Sequence, residues 1–253
     1  MYDYPELRLA SDDMCFAHAL YKPTSFWRDA TASIEAELSN HGVENFRRLP
    51  TALGYFVPTY GPPGNSFTAD QTSEIKAWLA REAPDAKKSK LALDHLIDGH
   101  LAAVSDYRVL VAADTSGRAP RLDHFSESDF GAPIEQFHFD GRAFSRSSLN
   151  YLLGLAFLKQ YLGNEPLRTV LEIGGGFGTL GEILASAALE EWRYIDLDIP
   201  PTSFVAERYL RSALGSNRVT GYAETRQQEV INVEALTPAS VLCTWQIERI
   251  QGP

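Results

Sequence analysis

The chain has 253 residues, 44% of them hydrophobic and 22% charged, with a formal net charge of -10 at pH 7. That length allows one large domain or two modest ones around a real core, and the acidic balance argues against a nucleic-acid partner recognised through its phosphates. Met1 to Ala10 lacks a basic segment followed by an apolar one, and the apolar run over 151–158 is too short for a bilayer, so neither a signal peptide nor membrane insertion is expected.

Residues 25–40 carry Trp27, Ala30, Ile34 and Leu38 at helical spacing, and Asn40-His41-Gly42 supplies the stop. The stretch 50–67, with Gly61-Pro62-Pro63-Gly64, reads as an ordered loop in which Tyr55, Phe56, Tyr60 and Phe67 seek burial. Asp70 can cap a helix carrying Ile75, Trp78 and Leu79, which Pro84 ends. A further helix is expected over 85–105, with Leu93, Leu96, Ile97 and Leu101 on one face and Lys87, Lys88 and Lys90 as a solvated basic cluster. Residues 108–130 hold turn chemistry at Ser116-Gly117 and at Asp129-Phe130-Gly131, and 136–139 turn at Asp140-Gly141 into a short hairpin. Ser145 opens a helix with Leu149, Leu152, Leu153, Ala156, Phe157 and Gln160 on one face, closed by Gly163-Asn164. Beyond Thr169 the pattern becomes strand (169–173), helix (179–188), strand (192–197), helix (202–214) and strand (218–222). Such alternation predicts a parallel sheet. The fold class is therefore α/β, with a mainly helical region over 1–130 ahead of a nucleotide-type domain over 131–253.

Glu172-Ile173-Gly174-Gly175-Gly176-Phe177-Gly178 ends the first of these strands and opens a helix. Glycines suit a sharp strand-to-helix turn and let the backbone approach a ligand, while the helix N-terminus attracts an anionic group. Two ligand patterns overlap here. Gly176-Phe177-Gly178-Thr179-Leu180-Gly181 fits the dinucleotide form G-x-G-x-x-G of an NAD(P)-dependent oxidoreductase. Read from Glu172, the stretch also fits E-x-G-x-G-x-G, the methyltransferase form, and a ligand-free structural turn is the third reading. The carboxylate of Glu172 would repel a pyrophosphate but can hold the ammonium of a methionine moiety, so S-adenosyl-L-methionine is the expected cofactor. Its expected binding residues are Glu172, Gly174, Gly175, Gly176, Gly178 and Asp196. Asp196 stands 24 residues beyond Glu172 at the end of the second strand, where a carboxylate accepts from ribose hydroxyls, with Asp198 as the alternative if the register slips by two. Glu224, after the third strand, is a candidate acceptor for the adenine amino group.

At these residues the sequence resembles the sugar O-methyltransferase family of class I enzymes. The matching stretches are residues 170–178 and Tyr194-Ile195-Asp196-Leu197-Asp198-Ile199-Pro200, with Gly131-Ala132-Pro133, Asp140-Gly141-Arg142, Ser25-Phe26-Trp27 and Val43-Glu44-Asn45-Phe46-Arg47 adding to them. The resemblance implies a Rossmann-like sheet and methyl transfer to a hydroxyl of a sugar or glycosylated small-molecule acceptor. It also implies a departure. Similar chains continue past a segment like Thr244-Trp245-Gln246-Ile247-Glu248 into a fourth strand, and a complete sheet of that kind runs 3-2-1-4-5-7-6. The expectation is that this chain stops short of the fourth strand, leaving Val170, Leu171 and Ile173 on an apolar edge; the alternative is that 240–245 is that strand. A non-catalytic scaffold is the corresponding second reading of function.

A sugar hydroxyl profits from a general base. His124 and His138 precede the core helix and are candidates, but each also reads as a surface or structural histidine, and no catalytic residue is assigned. His95 and His100, five apart, fall on different sides of a helix, His18 and His41 have no companions, and no cluster has metal-ligand spacing. Arg146 and Tyr151, on the helix before the first strand, are candidates to touch the cofactor. Cys15 and Cys243 form no motif, which suits a cytoplasmic protein, and no feature sets an oligomeric state.

Overall fold

The computed structural model describes residues 1–61, 67–114, 117–163 and 166–252. Pro5 occupies the first turn of α1 (Pro5–Phe16), where its missing N–H has no partner to lose. α2 (Ser25–His41) buries Ala30, Ile34 and Leu38 as the spacing predicts, and Gly42 ends it with φ 84°. Part of the expected 50–67 loop is helical: α3 (Pro50–Phe56) starts on a proline and buries Ala52 and Leu53. α4 (Ala69–Glu82) is capped by Thr68 rather than Asp70. The Thr68 hydroxyl accepts from the Gln71 N–H while the Gln71 side chain accepts from the Thr68 N–H.

The single helix expected over 85–105 is two, α5 (Lys87–Ile97) and α6 (His100–Ala113). Gly99 between them takes φ 83°, and a Cβ there would stand 2.2 Å from Thr59 Oγ1. The break turns the expected apolar face apart, so Ile97 is buried while Leu96 and Leu101 are exposed. Pro62 to Gly64 of the expected loop, Ser116 of the expected turn and Asn164 of the expected helix stop lie outside the described residues.

The hairpin forms as read. β1 (Phe137–Phe139) pairs antiparallel with β2 (Arg142–Phe144) across Asp140-Gly141, whose φ values are both positive. Ser145 caps α7 (Arg146–Leu162), its hydroxyl accepting from the Ser148 N–H at 3.1 Å. This helix buries Leu149, Leu152, Leu155 and Ala156, whereas Phe157 and Gln160 face outward.

The chain then runs through β3 (Thr169–Ile173), α8 (Thr179–Ser186), β4 (Arg193–Asp198), α9 (Thr202–Leu214), β5 (Val219–Thr220), α10 (Tyr222–Thr225), β6 (Ile231–Asn232), β7 (Ala239–Cys243) and β8 (Ile250–Gln251). β3, β4, β7 and β5 form one parallel sheet in that order, and β6 pairs with β8. β7 thus inserts between the second and third strands. The segment over 240–245 is a strand only to Cys243, and it lies beside β4, not beside β3. Among the described residues β3 has a strand neighbour on one side only.

Strand alternation divides the sheet's side chains. Val170, Tyr194 and Val241 pack with α7, α8 and α9 in the main core. On the other face Ile195, Leu197 and Leu242 pack under Ile231, Val233 and Leu236, while Leu171 and Ile173 stay 43% and 68% exposed.

A buried ion pair joins two distant parts of the helical region where that region meets α7 and the glycine turn. Arg47 Nη2 lies 2.8 Å from Glu127 Oε1, with the two side chains 3% and 0% exposed. Arg47 Nη1 donates to the Ser128 carbonyl, and the guanidinium stands 5.3 Å from the centre of the Phe177 ring in the glycine turn. Glu127 Oε1 also accepts from the Ser145 hydroxyl at the start of α7. Gly131 closes over this pair with φ 86°; its carbonyl accepts from the Arg47 N–H, and a Cβ would meet Arg47 Cγ at 2.9 Å. Two stretches far apart in the sequence, 43–47 and 131–133, therefore meet. Removing one member of such a pair strands the other charge in the core, so Arg47→Met is expected to cost about 3–5 kcal/mol, read from the midpoint of denaturant unfolding. An unchanged midpoint would show that the clamp holds nothing.

Candidate functional site

The glycine turn after β3 is strained in the way glycine tolerates: Gly174, Gly176 and Gly178 all have positive φ, at 76°, 66° and 90°. Gly178 caps α8, and a Cβ on it would touch Leu210 at 3.0 Å. Gly175 is needed for a different reason. A Cβ there would stand 2.6 Å from Asp196 Oδ1 and 2.9 Å from Glu172 Oε2. Two carboxylates fill the space beneath it.

A third joins them. Glu172 and Asp196 are register partners in neighbouring strands, and Asp198 follows Asp196 on the same face of β4. Asp196 is fully buried; its Oδ1 accepts from the Gly175 N–H at 3.2 Å and its Oδ2 has no partner. Asp198 accepts from the Gly176 N–H at 3.2 Å and from the Ile199 N–H at 2.7 Å. Glu172 accepts from two phenols, Tyr151 at 2.9 Å and Tyr194 at 2.6 Å. Burial, then the charges of Asp198 and Glu172, push the Asp196 carboxyl well above the usual carboxylate range, and burial raises Asp198 as well. The turn's free N–H groups therefore point at the protein's own acids.

Above this floor lies a cavity of about 380 Å³, within the range of small-molecule sites. Gly174, Leu197, Asp198 and Ile199 form one side of it. The helical region supplies the other through Pro23, Trp27 and Phe56, with Thr244 and Ile247 from the segment after β7. Trp27 and Phe56 stack with ring centres 6.3 Å apart, and Phe56 in turn covers Gly176.

Of the expected site residues, Gly174 lines the cavity; Glu172, Gly175, Gly176, Gly178 and Asp196 stand beneath or beside it, and Asp198 rather than Asp196 reaches its wall. Glu224 is turned elsewhere, accepting from the Gly221 N–H and pairing with Arg211. Arg146 faces Asp106 at 3.7 Å. His124 and His138 are exposed and do not line the cavity, which removes the geometric case for either as its base. His95 and His100, expected on different sides of one helix, instead stack at 4.2 Å because the Gly99 break folds α6 back on α5. Both cysteines are free thiols, Cys243 buried and Cys15 exposed. No helix among the described residues is long and apolar enough to cross a membrane. Sequence reasoning missed the cavity's aromatic side, although Trp27 lies in a stretch singled out for its resemblance, and it missed the Tyr194 phenol, whose signal is its place two residues before Asp196 on one strand face.

In comparisons with protein-family models, with curated proteins and with solved structures, nothing matches the chain.

Two consequences are measurable. Gly175→Ala forces a methyl group against two acids, one of them immobile in the core, and is expected to cost about 1–3 kcal/mol in denaturant unfolding; a neutral substitution would mean that the acids do not crowd the turn. The second concerns pH. Glu135 and Glu182 are both raised to about 7, chiefly by burial. The folded chain thus keeps protons that the unfolded chain has released between about pH 4.5 and 7, and stability falls as pH rises through that window. Asp123, lowered to about 2 by its hydrogen bond with Arg121, acts only below it. The melting temperature is expected to be higher at pH 5.5 than at pH 8, and the opposite order would refute this assignment.

Proposed function

We propose that the chain binds S-adenosyl-L-methionine at the 174–178 turn of a Rossmann-like α/β scaffold, whose sheet departs from the class I order by setting β7 between β4 and β5, and that it methylates a hydroxyl of a sugar or glycosylated small-molecule acceptor. The observation that supports the cofactor is the use of the turn's donors. The N–H groups of Gly175 and Gly176, which a pyrophosphate would need, are taken by Asp196 and Asp198. These acids leave neither amide to an added anion, and a ligand with a cationic ammonium and sulfonium suits them better. The overlapping dinucleotide pattern lacks that complementarity. The acceptor class rests on the resemblance of the glycine turn and the second strand to sugar O-methyltransferases.

In this reading Glu172 takes the ammonium, and Asp198, on the cavity wall, accepts from the ribose hydroxyls in place of Asp196. Asp196 acts from below by holding the Gly175 amide. Leu197 and Ile199 offer an apolar seat for the adenine, and the Trp27–Phe56 stack keeps water from the reacting side. Bound there, the cofactor would supply an electrophilic methyl group for in-line displacement by the acceptor oxygen, whose hydroxyl proton would pass to water. Catalysis by the chain is then mainly positioning.

Isothermal titration with S-adenosylhomocysteine and with NAD tests the reading. Binding of the first and not the second is expected. Binding of NAD alone would overturn it in favour of an oxidoreductase, and binding of neither would favour a non-catalytic scaffold.

A further inference from the structure

Glu172 sits on a strand that, among the described residues, pairs on one side only, between Leu171 and Ile173, which are 43% and 68% exposed. Backbone pairing and packing therefore restrain this carboxylate less than they restrain Asp196, which β4 holds in the middle of the sheet. A glutamate with three rotatable bonds at such an edge is free to swing toward water unless something grips its end. Two phenols do so from different elements. Tyr194 reaches across from β4 and is fully buried; Tyr151 comes from α7 and stands between Glu172 and a groove along that helix lined by Asn150, Gly154 and Leu158.

The two bonds also distribute charge. A phenol that donates to a carboxylate stabilises its ionised form. Burial and the neighbouring acids push both phenols upward, so each keeps its proton and serves as a donor. Asp196 accepts one amide bond and no hydroxyl, and Asp198 accepts two amide bonds. Among the three acids, Glu172 alone is given two hydroxyl donors.

We propose that Tyr151 is a positioning residue that, together with Tyr194, fixes the Glu172 carboxylate in place to receive the ammonium of the methionine moiety. The inference rests on the cofactor reading given above. It assigns Tyr151 no contact with the ligand and makes its effect specific to the amino-acid end.

Titrations of the wild type, Tyr151→Phe, Glu172→Gln and the double variant test it, each with S-adenosylhomocysteine and with methylthioadenosine, which carries the same nucleoside without the amino acid. Tyr151→Phe is expected to weaken S-adenosylhomocysteine roughly tenfold, as loss of one hydrogen bond to a charged group implies. In the Glu172→Gln background the same change is expected to cost nothing further. Methylthioadenosine affinity stays constant across the set, which also reports that the cavity is intact. Equal weakening of both ligands by Tyr151→Phe, no weakening of S-adenosylhomocysteine, or additive losses in the double variant would overturn the proposal. A wild type that binds neither nucleoside overturns the cofactor reading first and this inference with it, a result distinct from the other three.

Discussion

The ion pair between Arg47 and Glu127 gathers distant parts of the first 130 residues into one contact and ties them to the rest of the molecule through Ser145 and Phe177. Placing both charges out of water is expensive, and the attraction between them repays the cost only when further hydrogen bonds satisfy the remaining atoms. Here the guanidinium also reaches the Ser128 carbonyl and Glu127 Oε1 also takes the hydroxyl that caps α7, while Glu127 Oε2 has no partner and burial pushes the carboxyl upward. The next residue continues the chain of contacts: the Ser128 N–H donates to Glu182 on α8, and Glu182 accepts from Tyr209 on α9. One arginine from the helical region thus ends in a polar seam that touches the starts or faces of three helices packed on the sheet. Apolar side chains could fill the same volume, but they would not define the direction in which α2 and the turn at Gly131 approach the sheet.

A second constraint is the crowding of acids below the glycine turn. Three carboxylates within reach of one another cannot all ionise without cost, and burial adds to that cost at Asp196, so its pKa is pushed up most plainly. The crowding also explains the sequence of the turn. Gly175 is glycine because the acids occupy the place of its side chain, whereas Gly174 faces open space and is glycine for its dihedral angles. Two demands, steric and conformational, are met by residues that look identical in the sequence.

What the sequence reveals follows the range of the interaction. The α2 face, the start of α7 at Ser145, the Asp140-Gly141 hairpin and the strand–turn–helix at Glu172 are legible because each is decided within about one turn or one strand of chain. The break at Gly99 is less so: glycine is tolerated inside a helical pattern, and the space that demands it is filled by Thr59, forty residues away. α3 is hidden because Pro50 and Gly54 suggest a loop, yet proline is at home in the first turn of a helix. The insertion of β7 beside β4 depends on pairing between distant strands, which no local pattern encodes. The same holds for the choice between Asp196 and Asp198. Both end an acidic strand, and only the depth of the turn above them decides which carboxylate reaches the cavity.

Phe177 joins these two constraints. It belongs to the glycine turn, lies beneath the Arg47 guanidinium, and makes ring contacts with Phe46, Phe56 and Tyr209. Phe56 and Trp27 form the cavity side contributed by the helical region, so the aromatic chain runs from that wall, through the turn, to α9. A shift of the turn large enough to alter the cavity floor would have to move Phe177 against a buried charge and three rings. Closely packed interiors resist such shifts. The floor and the wall of the cavity are therefore set together: the clamp that attaches the helical region also holds the shape of the turn, and the site exists only where the two halves meet.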